Sequence, residues 1–397
     1  MVKDWVPKPI KELANIVSGG TPSTTVAEYW DGSIVWIAPT DITRKKSKYL
    51  SSSERKITEI GLANSGAVLL PAGALLLCTR ATIGELSIAA QPLATNQGFK
   101  NLICFDGIDN QWLYYAIQPM KLKMVEQASG STFLEISKTA LGNIEILTPP
   151  DKPEQNAIAT ALSDADALID ALEQSIVKKR QIKQGAMQEL LTGKRRLLGF
   201  TGEWTTEVLS DLVDTDTESL TSKTSKTYTF NYISLEDVKC GELMQYSEYQ
   251  FYKSPLRARR KISYGDLLIS TVRPNLKSHL LFLVSDGEWV SSTGFCVVRC
   301  KKNKIDNKYL FQHFFAYSIA MQIENVMTGS NYPAINSAAV RSLEIPIPPT
   351  LEEQTAIAAV LSDMDDEITA LEAKLAKARQ IKIGMMQELL TGRIRLV

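Results

Sequence analysis

A segment of this chain occurs twice, and this repeat constrains the fold more than any other feature. Residues 149–197 and 348–396 align without a gap at an offset of 199 residues, with 30 identities over 49 positions. The two copies lie in the middle and at the end of the 397-residue sequence. A repeat period of this size indicates a tandem duplication of whole domains and not a solenoid of short repeats.

The regions before the two copies also match, although more weakly. Trp5 recurs as Trp204, and the pair Gly98-Phe99 recurs as Gly294-Phe295. The residues between these matches differ, so the two halves share a framework but not a surface. We therefore predict four segments. They are a first head at residues 1–148, a first repeated helix at 149–197, a second head at 198–347 and a second repeated helix at 348–397.

The repeated segments have the pattern of long helices that pack against a partner helix. Apolar residues recur at alternating spacings of four and three, as in a heptad seam. Prolines precede each helix, and Gly193 and Gly392 end it. Because a short linker follows the first helix, we expect the second helix to pack antiparallel to it, with contacts between two molecules as the alternative. The predicted seam comprises Ile158, Leu162, Ile169, Leu172, Ile176, Ile357, Leu361, Ile368, Leu371 and Leu375.

Both heads have the pattern of mixed α/β domains. Each carries several short apolar runs and, late in the segment, one apolar helix for which Asp109 or Asp306 is the expected N-cap. The fold class is therefore α/β, with two heads separated by a pair of antiparallel coiled-coil helices and related by a pseudo-twofold repeat. The predicted strands are 34–37, 74–78, 101–105, 228–233, 267–271 and 296–299, and the predicted helices are 110–125 and 307–326.

Composition indicates an ordinary globular protein. The chain has 44 basic and 44 acidic residues, and 44% of its residues are hydrophobic. No apolar run approaches the length of a membrane span, the start lacks the apolar core of a signal peptide, and the five cysteines are scattered. We therefore expect a cytoplasmic protein with no membrane partner. Zero net charge counts mildly against nucleic-acid binding, although basic residues occur in clusters.

The sequence offers little catalytic chemistry. His279 and His313 are the only histidines, and both lie in the second half, whereas a duplicated enzyme would carry its base twice. Cys296 and Cys300 have no matching second pair for a metal ion. No glycine-rich cofactor loop follows a strand. We therefore expect no enzymatic activity, no metal and no cofactor in this chain.

Several polar and basic residues stand at positions where loops could contact nucleic acid. Thr79-Arg80 and Thr271-Val272-Arg273 each follow an apolar strand, so their arginines could reach a guanine, with a structural ion pair as the alternative. The loop 18–23 is glycine-rich and could expose N–H groups to phosphate, but it lacks the lysine of a P-loop, and its local sequence favours a plain turn. The other candidates are Thr21, Ser23, Arg44, Lys45, Lys46, Ser131, Thr132, Lys223, Arg257, Arg259, Arg260, Asn275, Ser330, Asn331 and Tyr332.

The end of each repeated helix is identical over six residues. Gln188–Gly193 recurs as Gln387–Gly392, with the sequence QELLTG. A helix pair alone does not require identity on its outward faces. We therefore predict two equivalent docking surfaces for a second protein. A recent duplication is the alternative explanation.

This arrangement resembles the specificity subunit of a type I restriction–modification system. The resemblance rests on a variable head, a helix ending in QELLTGKRRL, a second variable head and the same helix again, and it covers essentially the whole chain. The beginning of the chain is also similar, with Trp5, Leu13, the loop 20–23 and Trp36-Ile37.

The resemblance implies a function in DNA recognition. Each head would read one half of a bipartite site in double-stranded DNA, and the helices would set the unread gap. Two modification (methyltransferase) subunits and the restriction/translocase subunits would bind to this chain, and S-adenosylmethionine, ATP and Mg²⁺ would belong to these partners. We expect the chain alone to bind DNA weakly. The alternatives are a related system that combines methylase and nuclease in one partner, a two-headed protein-interaction scaffold, and a self-contained enzyme.

Overall fold

The chain divides into two compact units in the computed structural model, which describes residues 4–45, 47–130, 134–329 and 333–396. Unit 1 consists of Met1–Leu172 together with Lys374–Val397, and unit 2 is Glu173–Ala373. Each unit therefore combines one head with the beginning of the long helix that follows it and with the end of the other long helix. The division into four segments made from the sequence is a different one and stays a prediction.

The head of unit 1 is built largely of β-strands. In chain order, strands β1 to β10 are Val6–Pro9, Ala14–Ser18, Trp30–Ile37, Tyr49–Leu50, Arg55–Ile57, Leu75–Cys78, Leu86–Ala89, Ala94–Thr95, Phe99–Cys104 and Glu145–Thr148. They form a five-stranded sheet with the order β2-β9-β6-β7-β4, a three-stranded sheet with the order β5-β3-β8, and the antiparallel pair β1-β10. Strand β6 lies inside the larger sheet, and all four of its residues are buried.

Short helices cover this head, and a long helix follows it. The helices α1 to α7 are Ile10–Leu13, Pro39–Lys45, Glu59–Ala63, Asn110–Ile117, Lys121–Glu126, Lys138–Gly142 and Lys152–Leu190. Asp109 is the predicted N-cap of α4, since its carboxylate accepts a 2.7 Å hydrogen bond from the backbone N–H of Trp112. The predicted helix 110–125 is interrupted by a 3₁₀ turn at Gln118–Met120, because Pro119 has no N–H to continue the α-helical bonding.

The head of unit 2 has a related sheet arrangement. Its strands β11 to β22 are Thr205–Val208, Val213–Thr215, Thr229–Ile233, Val238–Lys239, Glu242–Leu243, Ser247–Gln250, Ala258–Ile262, Leu267–Ser270, Leu280–Leu281, Trp289–Ser292, Phe295–Cys300 and Glu344–Ile347. They form four-stranded sheets with the orders β12-β21-β18-β19 and β16-β13-β20-β17, and the pairs β11-β22 and β14-β15. The neighbours β18 and β21 correspond to β6 and β9 of unit 1, and both pairs are antiparallel.

The helices of unit 2 repeat those of unit 1. Helices α8 to α12 are Leu209–Leu212, Asn307–His313, Tyr317–Val326, Ser337–Arg341 and Leu351–Leu389. Asp306 caps α9 through the backbone N–H of Tyr309 at 2.8 Å, as predicted. The predicted helix 307–326 is divided into α9 and α10, because the backbone becomes extended at Ala316. Each of the six predicted strands overlaps a strand of the structure, so the mixed α/β class and the tandem repeat are confirmed.

The long helices pack antiparallel within each unit. In unit 1, Asp166 on α7 pairs with Lys382 on α12, and Glu154 pairs with Arg395 beyond the end of α12. Residue numbers therefore rise along one segment as they fall along the other. Unit 2 repeats this pairing with the roles of the helices exchanged. There, Asp365 pairs with Lys183 and Glu353 pairs with Arg196.

Part of the predicted helix–helix seam also packs against the head. Ile158 and Leu162 are fully buried in a cluster that contains core residues of the first head and Leu389 from the end of α12. Ile357 and Leu361 occupy the same place in unit 2, with Leu190 from the end of α7. The heptad pattern thus buries its first turns against a sheet as well as a helix. The remaining seam residues are buried or half-buried, namely Ile169, Leu172, Ile176, Ile368, Leu371 and Leu375.

Each long helix ends a few residues before a glycine in the left-handed conformation. Gly193 has φ +69° and Gly392 has φ +71°, and helices α7 and α12 end at Leu190 and Leu389. The prediction that a glycine follows the end of each long helix is therefore confirmed, although the helices end a few residues before the glycines. Within the part of the chain that the structure describes, no helix is both long and apolar enough to cross a membrane.

Candidate nucleic-acid interface

Unit 2 presents two basic loops that lie side by side. Residues 219–228 and 251–259 are joined by backbone hydrogen bonds, from Tyr252 to Lys226 at 3.2 Å and from Leu220 to Arg259 at 2.7 Å. We refer to residues 219–228 together with 251–259 as the basic loop pair. Because the loops are far apart in sequence, their proximity is a property of the fold.

The basic loop pair carries five cations and no acidic residue. Lys223, Lys226, Lys253 and Arg257 are exposed, and Arg259 is half-buried. The Arg259 guanidinium lies 5.1 Å from the centroid of the Phe251 ring and donates to its neighbouring carbonyl at Ala258. The sequence contains neither Asp nor Glu in the two loops. Such a surface attracts phosphate even on a chain whose net charge is zero.

Basic residues next to the loop pair are paired with acids inside the unit. The guanidinium of Arg260 lies 3.1 Å from a carboxylate oxygen of Asp216, and Lys261 lies 3.7 Å from Glu218. Arg260 was predicted from the sequence as a DNA contact, but the structure engages it in an ion pair. The predicted contacts Lys223, Arg257 and Arg259 lie within the basic loop pair, whereas Arg260 lies just after it and pairs with Asp216.

Each unit contains one threonine–arginine turn, at Thr79-Arg80 or at Thr271–Arg273. The same two hydrogen bonds to a glycine carbonyl hold both turns. The backbone N–H and the hydroxyl group of Thr79 both donate to Gly98 O, at 2.8 and 3.2 Å. Thr271 does the same with Gly294 O, at 2.9 and 2.7 Å. Thr79 and Thr271 are buried. Their hydroxyl groups therefore stabilise the fold in this structure and are not exposed to a base edge.

A second loop meets each threonine–arginine turn. The N–H of Ile136 donates to Thr79 O at 3.1 Å, and the N–H of Ile335 donates to Thr271 O at 2.9 Å. Each of these loops is closed at its base by a pair of backbone hydrogen bonds, between Ser129 and Glu135 or between Thr328 and Ala334. The predicted contacts within the loops lie outside the described residues, namely Ser131, Thr132, Ser330, Asn331 and Tyr332.

The side chains around these two junctions differ between the units. Arg80 is half-buried and forms a backbone bridge with Glu135. Arg273 is exposed, adopts a left-handed φ of +48° and donates its N–H to Pro333 O at 2.8 Å. Asn275, the next predicted contact, is also exposed. One backbone framework thus presents two different sets of side chains.

The basic cluster of head 1 is tied to neighbouring residues. Arg44 pairs with Glu54, and the Lys45 ammonium donates to Ser52 O at 2.6 Å, although both basic side chains are exposed. Lys46, the third predicted contact of this cluster, lies outside the described residues. Nearby, burial lowers the pKa of Lys48.

The glycine-rich loop near the start of the chain is a packed turn. The N–H groups of Gly19 and Gly20 donate to Phe99 O at 3.3 Å and Thr95 O at 2.9 Å. A Cβ atom at Gly19 would lie 1.9 Å from Asn96 O, so the glycine permits a close approach of two backbones. These N–H groups are not available to phosphate. Thr21 is half-buried beside Gln97, and Ser23 is exposed.

In unit 2, both histidines and two cysteines have pKa values shifted in favour of their uncharged forms. Burial lowers the pKa of His279 to about 4 and that of His313 to about 3. It raises the pKa of the Cys296 and Cys300 thiols to about 12. Among the described residues, no group of His, Cys, Asp and Glu side chains is arranged to hold a metal ion.

Part of the repeated QELLTG sequence has a role inside the units. Leu190 is buried in the core of unit 2, and the Thr192 hydroxyl donates to Gln188 O at 2.6 Å. Gln188 is exposed in unit 2, as is its counterpart Gln387 in unit 1. The apolar positions are therefore explained by packing, whereas the exposed glutamines are not.

A groove in unit 2 runs beside this sequence. Its volume is about 1020 Å³, and its lining includes Gln188, Leu191 and Thr192. Lys239 and Lys277 from the head line it as well, together with the apolar side chain of Phe315. A surface that combines apolar side chains with cations can bind another protein.

The chain belongs to the family of type I restriction–modification DNA specificity domains. It matches this family twice, over residues 2–184 and 202–380, so each match contains one head and most of the helix after it. Members of this family are the DNA specificity domains of type I restriction–modification systems.

Several specificity subunits are similar to this chain. The MjaIX subunit of Methanocaldococcus jannaschii is 41% identical over 170 residues, which are 42% of this chain and 39% of that protein. The MjaVIII subunit of the same organism is 23% identical over 417 residues, which cover 99% of this chain and 93% of that protein. The EcoR124I/EcoR124II subunit of Escherichia coli is 27% identical over 188 residues, 46% of this chain and 45% of that one.

Solved structures share the fold. A type I restriction–modification S subunit from M. genitalium superposes with a TM-score of 0.60 at 14% identity, covering 97% of this chain and 96% of that one. A chain from a study of complex assembly and conformational transition of the type I system gives a TM-score of 0.56 at 14% identity, covering 98% of both chains.

Proposed function

We propose that this chain reads a bipartite DNA sequence for a type I restriction–modification complex, with one half-site for each unit. The repeated junction carries this proposal. In both units a buried threonine holds the turn before an arginine and the base of a second loop. The side chains on this common framework differ, as recognition of two different half-sites requires.

The basic loop pair supplies phosphate contacts to the half-site that unit 2 reads. Its five cations position the head on the DNA backbone, whereas the junction residues Arg273 and Asn275 reach base edges. In the basic cluster of head 1, Arg44 and Lys45 are engaged by neighbours. Modification subunits supply the remaining phosphate contacts, so the chain binds DNA weakly alone and tightly in the complex.

The partners dock on the repeated helix ends. The groove beside Gln188 is the surface for one modification subunit, and the repeat of the same sequence at Gln387 supports a second surface in unit 1. The restriction/translocase subunits join this assembly. The chain itself is not catalytic, and S-adenosylmethionine, ATP and Mg²⁺ bind to its partners.

The proposal is tested by co-expression with a modification subunit from the same host, followed by mapping of methylated adenine in host DNA. We expect a bipartite motif with a fixed gap that disappears when this chain is deleted. Co-purification of the two proteins should fall in the double variant Gln188→Glu and Gln387→Glu, while the exposed control Gln181→Glu binds normally. A host without any motif that depends on the chain, and without a co-purifying partner, would contradict the proposal and favour a protein scaffold.

A further inference from the structure

Leu256 differs from the other residues of the basic loop pair because it is apolar and almost fully exposed. Its side chain is 86% exposed, and it stands directly before Arg257 at the turn between Phe251 and Ala258. Tyr252 in the same loop is 56% exposed. A single exposed leucine is unremarkable by itself. Here, however, it projects from a surface whose charges already select an anionic polymer.

The turn that carries Leu256 is fixed by hydrogen bonds on both sides. The N–H of Ala258 donates to Pro255 O at 2.9 Å, and the N–H of Thr293 donates to Arg257 O at 2.8 Å. Pro255 restricts the backbone further, because its ring fixes φ. A leucine on such a preorganised turn loses little conformational freedom when a ligand buries it.

We propose that Leu256 is a wedge that inserts between neighbouring base pairs of the half-site bound by unit 2. The inference rests on the proposed function and adds a residue that determines specificity. Apolar side chains that enter a base step partly unstack it and bend the duplex. Lys253 and Arg257 flank the leucine and contact the phosphates on either side of the opened step. Because the cost of unstacking depends on the step, Leu256 selects sequence without a hydrogen bond to any base.

The wedge is confined to unit 2. The corresponding stretch of head 1, residues 59–73 before strand β6, contains no lysine or arginine and includes Glu59. Its exposed apolar side chains are Ile60 at 52%, Val68 at 43% and Leu69 at 47%, and none of them has a flanking cation. Only the half-site read by unit 2 is therefore expected to be unstacked.

The test uses the full chain with its modification subunit and a DNA duplex that carries the mapped motif. The fluorescent base 2-aminopurine replaces adenine at successive positions other than the methylated adenines, which a methyltransferase flips out of the stack by itself, and unstacking increases its fluorescence. The wild-type complex should produce this increase at one step of one half-site. Leu256→Ala should remove the increase and weaken binding by about tenfold, through the lost burial of one leucine side chain. Leu256→Phe should retain it, and Leu198→Ala, at a leucine of unit 2 that is also exposed, should behave like the wild type.

The outcomes separate the wedge from the proposed function. If the wild-type complex binds the duplex and no position becomes brighter, the wedge is wrong while the proposed function stands. If Leu256→Ala lowers co-purification with the modification subunit but leaves the fluorescence increase intact, the leucine faces a protein, and the wedge is again wrong. If the complex neither binds the duplex nor methylates a motif, both proposals fail.

Discussion

A repeated Glu-Gln pair joins each head to the helix that follows it. The Gln155 side chain accepts a 2.8 Å hydrogen bond from the N–H of Asp109, and Gln354 accepts the same bond from Asp306. Both glutamines are buried, as are the preceding residues Glu154 and Glu353. One dipeptide thus attaches the helix to the head through its glutamine, and through its glutamate to an arginine just beyond the end of the other long helix.

Removal of either glutamine side chain is expected to destabilise one unit. Gln155→Ala should lower the free energy of unfolding of unit 1 by about 2 kcal/mol, and Gln354→Ala should do the same in unit 2, because each leaves a partly buried N–H without its acceptor. Hydrogen exchange followed by mass spectrometry would resolve the two units. The exposed residue of α7 altered in Gln181→Ala provides the control. Equal protection in all three variants would show that the bond is unimportant.

The two histidines make the stability of unit 2 depend on pH. Burial lowers the pKa of His279 to about 4 and of His313 to about 3, whereas the unfolded value is about 6.5. The unfolded chain therefore binds more protons below pH 6.5 or so, and the stability present above that pH is lost as the pH falls. Near pH 5.5, each histidine should lower the free energy of unfolding of unit 2 by about 1 kcal/mol.

Denaturant titrations at a series of pH values would test this dependence. The free energy of unfolding of unit 2 should fall between neutral pH and about pH 5.5, a range that lies above the titration of most carboxylates. That of unit 1 should change little, because unit 1 contains no histidine. The double variant His279→Gln and His313→Gln should lose the slope. An unchanged slope in that variant would contradict the assignment.

At the scale of elements, the sequence predicted the framework better than the surface. The long helices, the six strands and both aspartate caps follow from local periodicity and capping chemistry, which act over neighbouring residues. The burial of Thr79 and Thr271 could not be foreseen, because each hydroxyl group is bonded to a glycine carbonyl on a distant stretch of chain. Lys226 and Lys253 were missed for the same reason, since they meet only through pairing of two separate loops.

One sequence feature could have identified Lys226 and Lys253, namely that no acidic residue lies in the stretches around them. Neither loop of the basic loop pair contains Asp or Glu, whereas the basic string around Arg44 is followed closely by Glu54. A cluster of cations near an acid forms local ion pairs, and Arg44 does so. A search for cationic stretches free of acids would have ranked Lys226 and Lys253 above Arg44.

The basic loop pair should determine how salt affects DNA binding. Lys223→Gln and Arg257→Gln should each reduce the slope of log affinity against log salt concentration by about 1, since each removes one phosphate contact. Lys302→Gln, at an exposed lysine of unit 2 outside the loop pair, is the control. Affinity of the complex for a duplex would be measured over a range of KCl concentrations. Parallel lines for all variants would exclude these residues from the interface.

At the scale of the whole molecule, each unit is completed by a segment of the other repeat. Residues 374–397 belong to unit 1, and Leu389 and Leu396 pack against the core of the first head. Residues 173–197 supply the corresponding segment to unit 2, with Leu190 and Leu191 in its core. The duplication therefore exchanges helix ends between repeats, and heptad spacing alone cannot reveal which core receives each end.

Truncation after residue 373 should therefore destabilise the first head, although the removed residues follow the second head in sequence. The shortened chain retains all of unit 2 but lacks the segment that covers the first head, so hydrogen exchange should rise in residues 4–148 and stay low in residues 205–347. This result is opposite to that expected if each repeat folds by itself. In that case exchange would rise only near the new end of the chain, in the remaining part of α12.

The central claim is that each unit reads one half of the DNA target. Its most direct test is to exchange residues 1–148 for the first head of another specificity subunit and then map methylated adenine in the host. We expect one half of the motif to change while the other half and the gap stay the same. A motif that changes in both halves, or in neither, would contradict it.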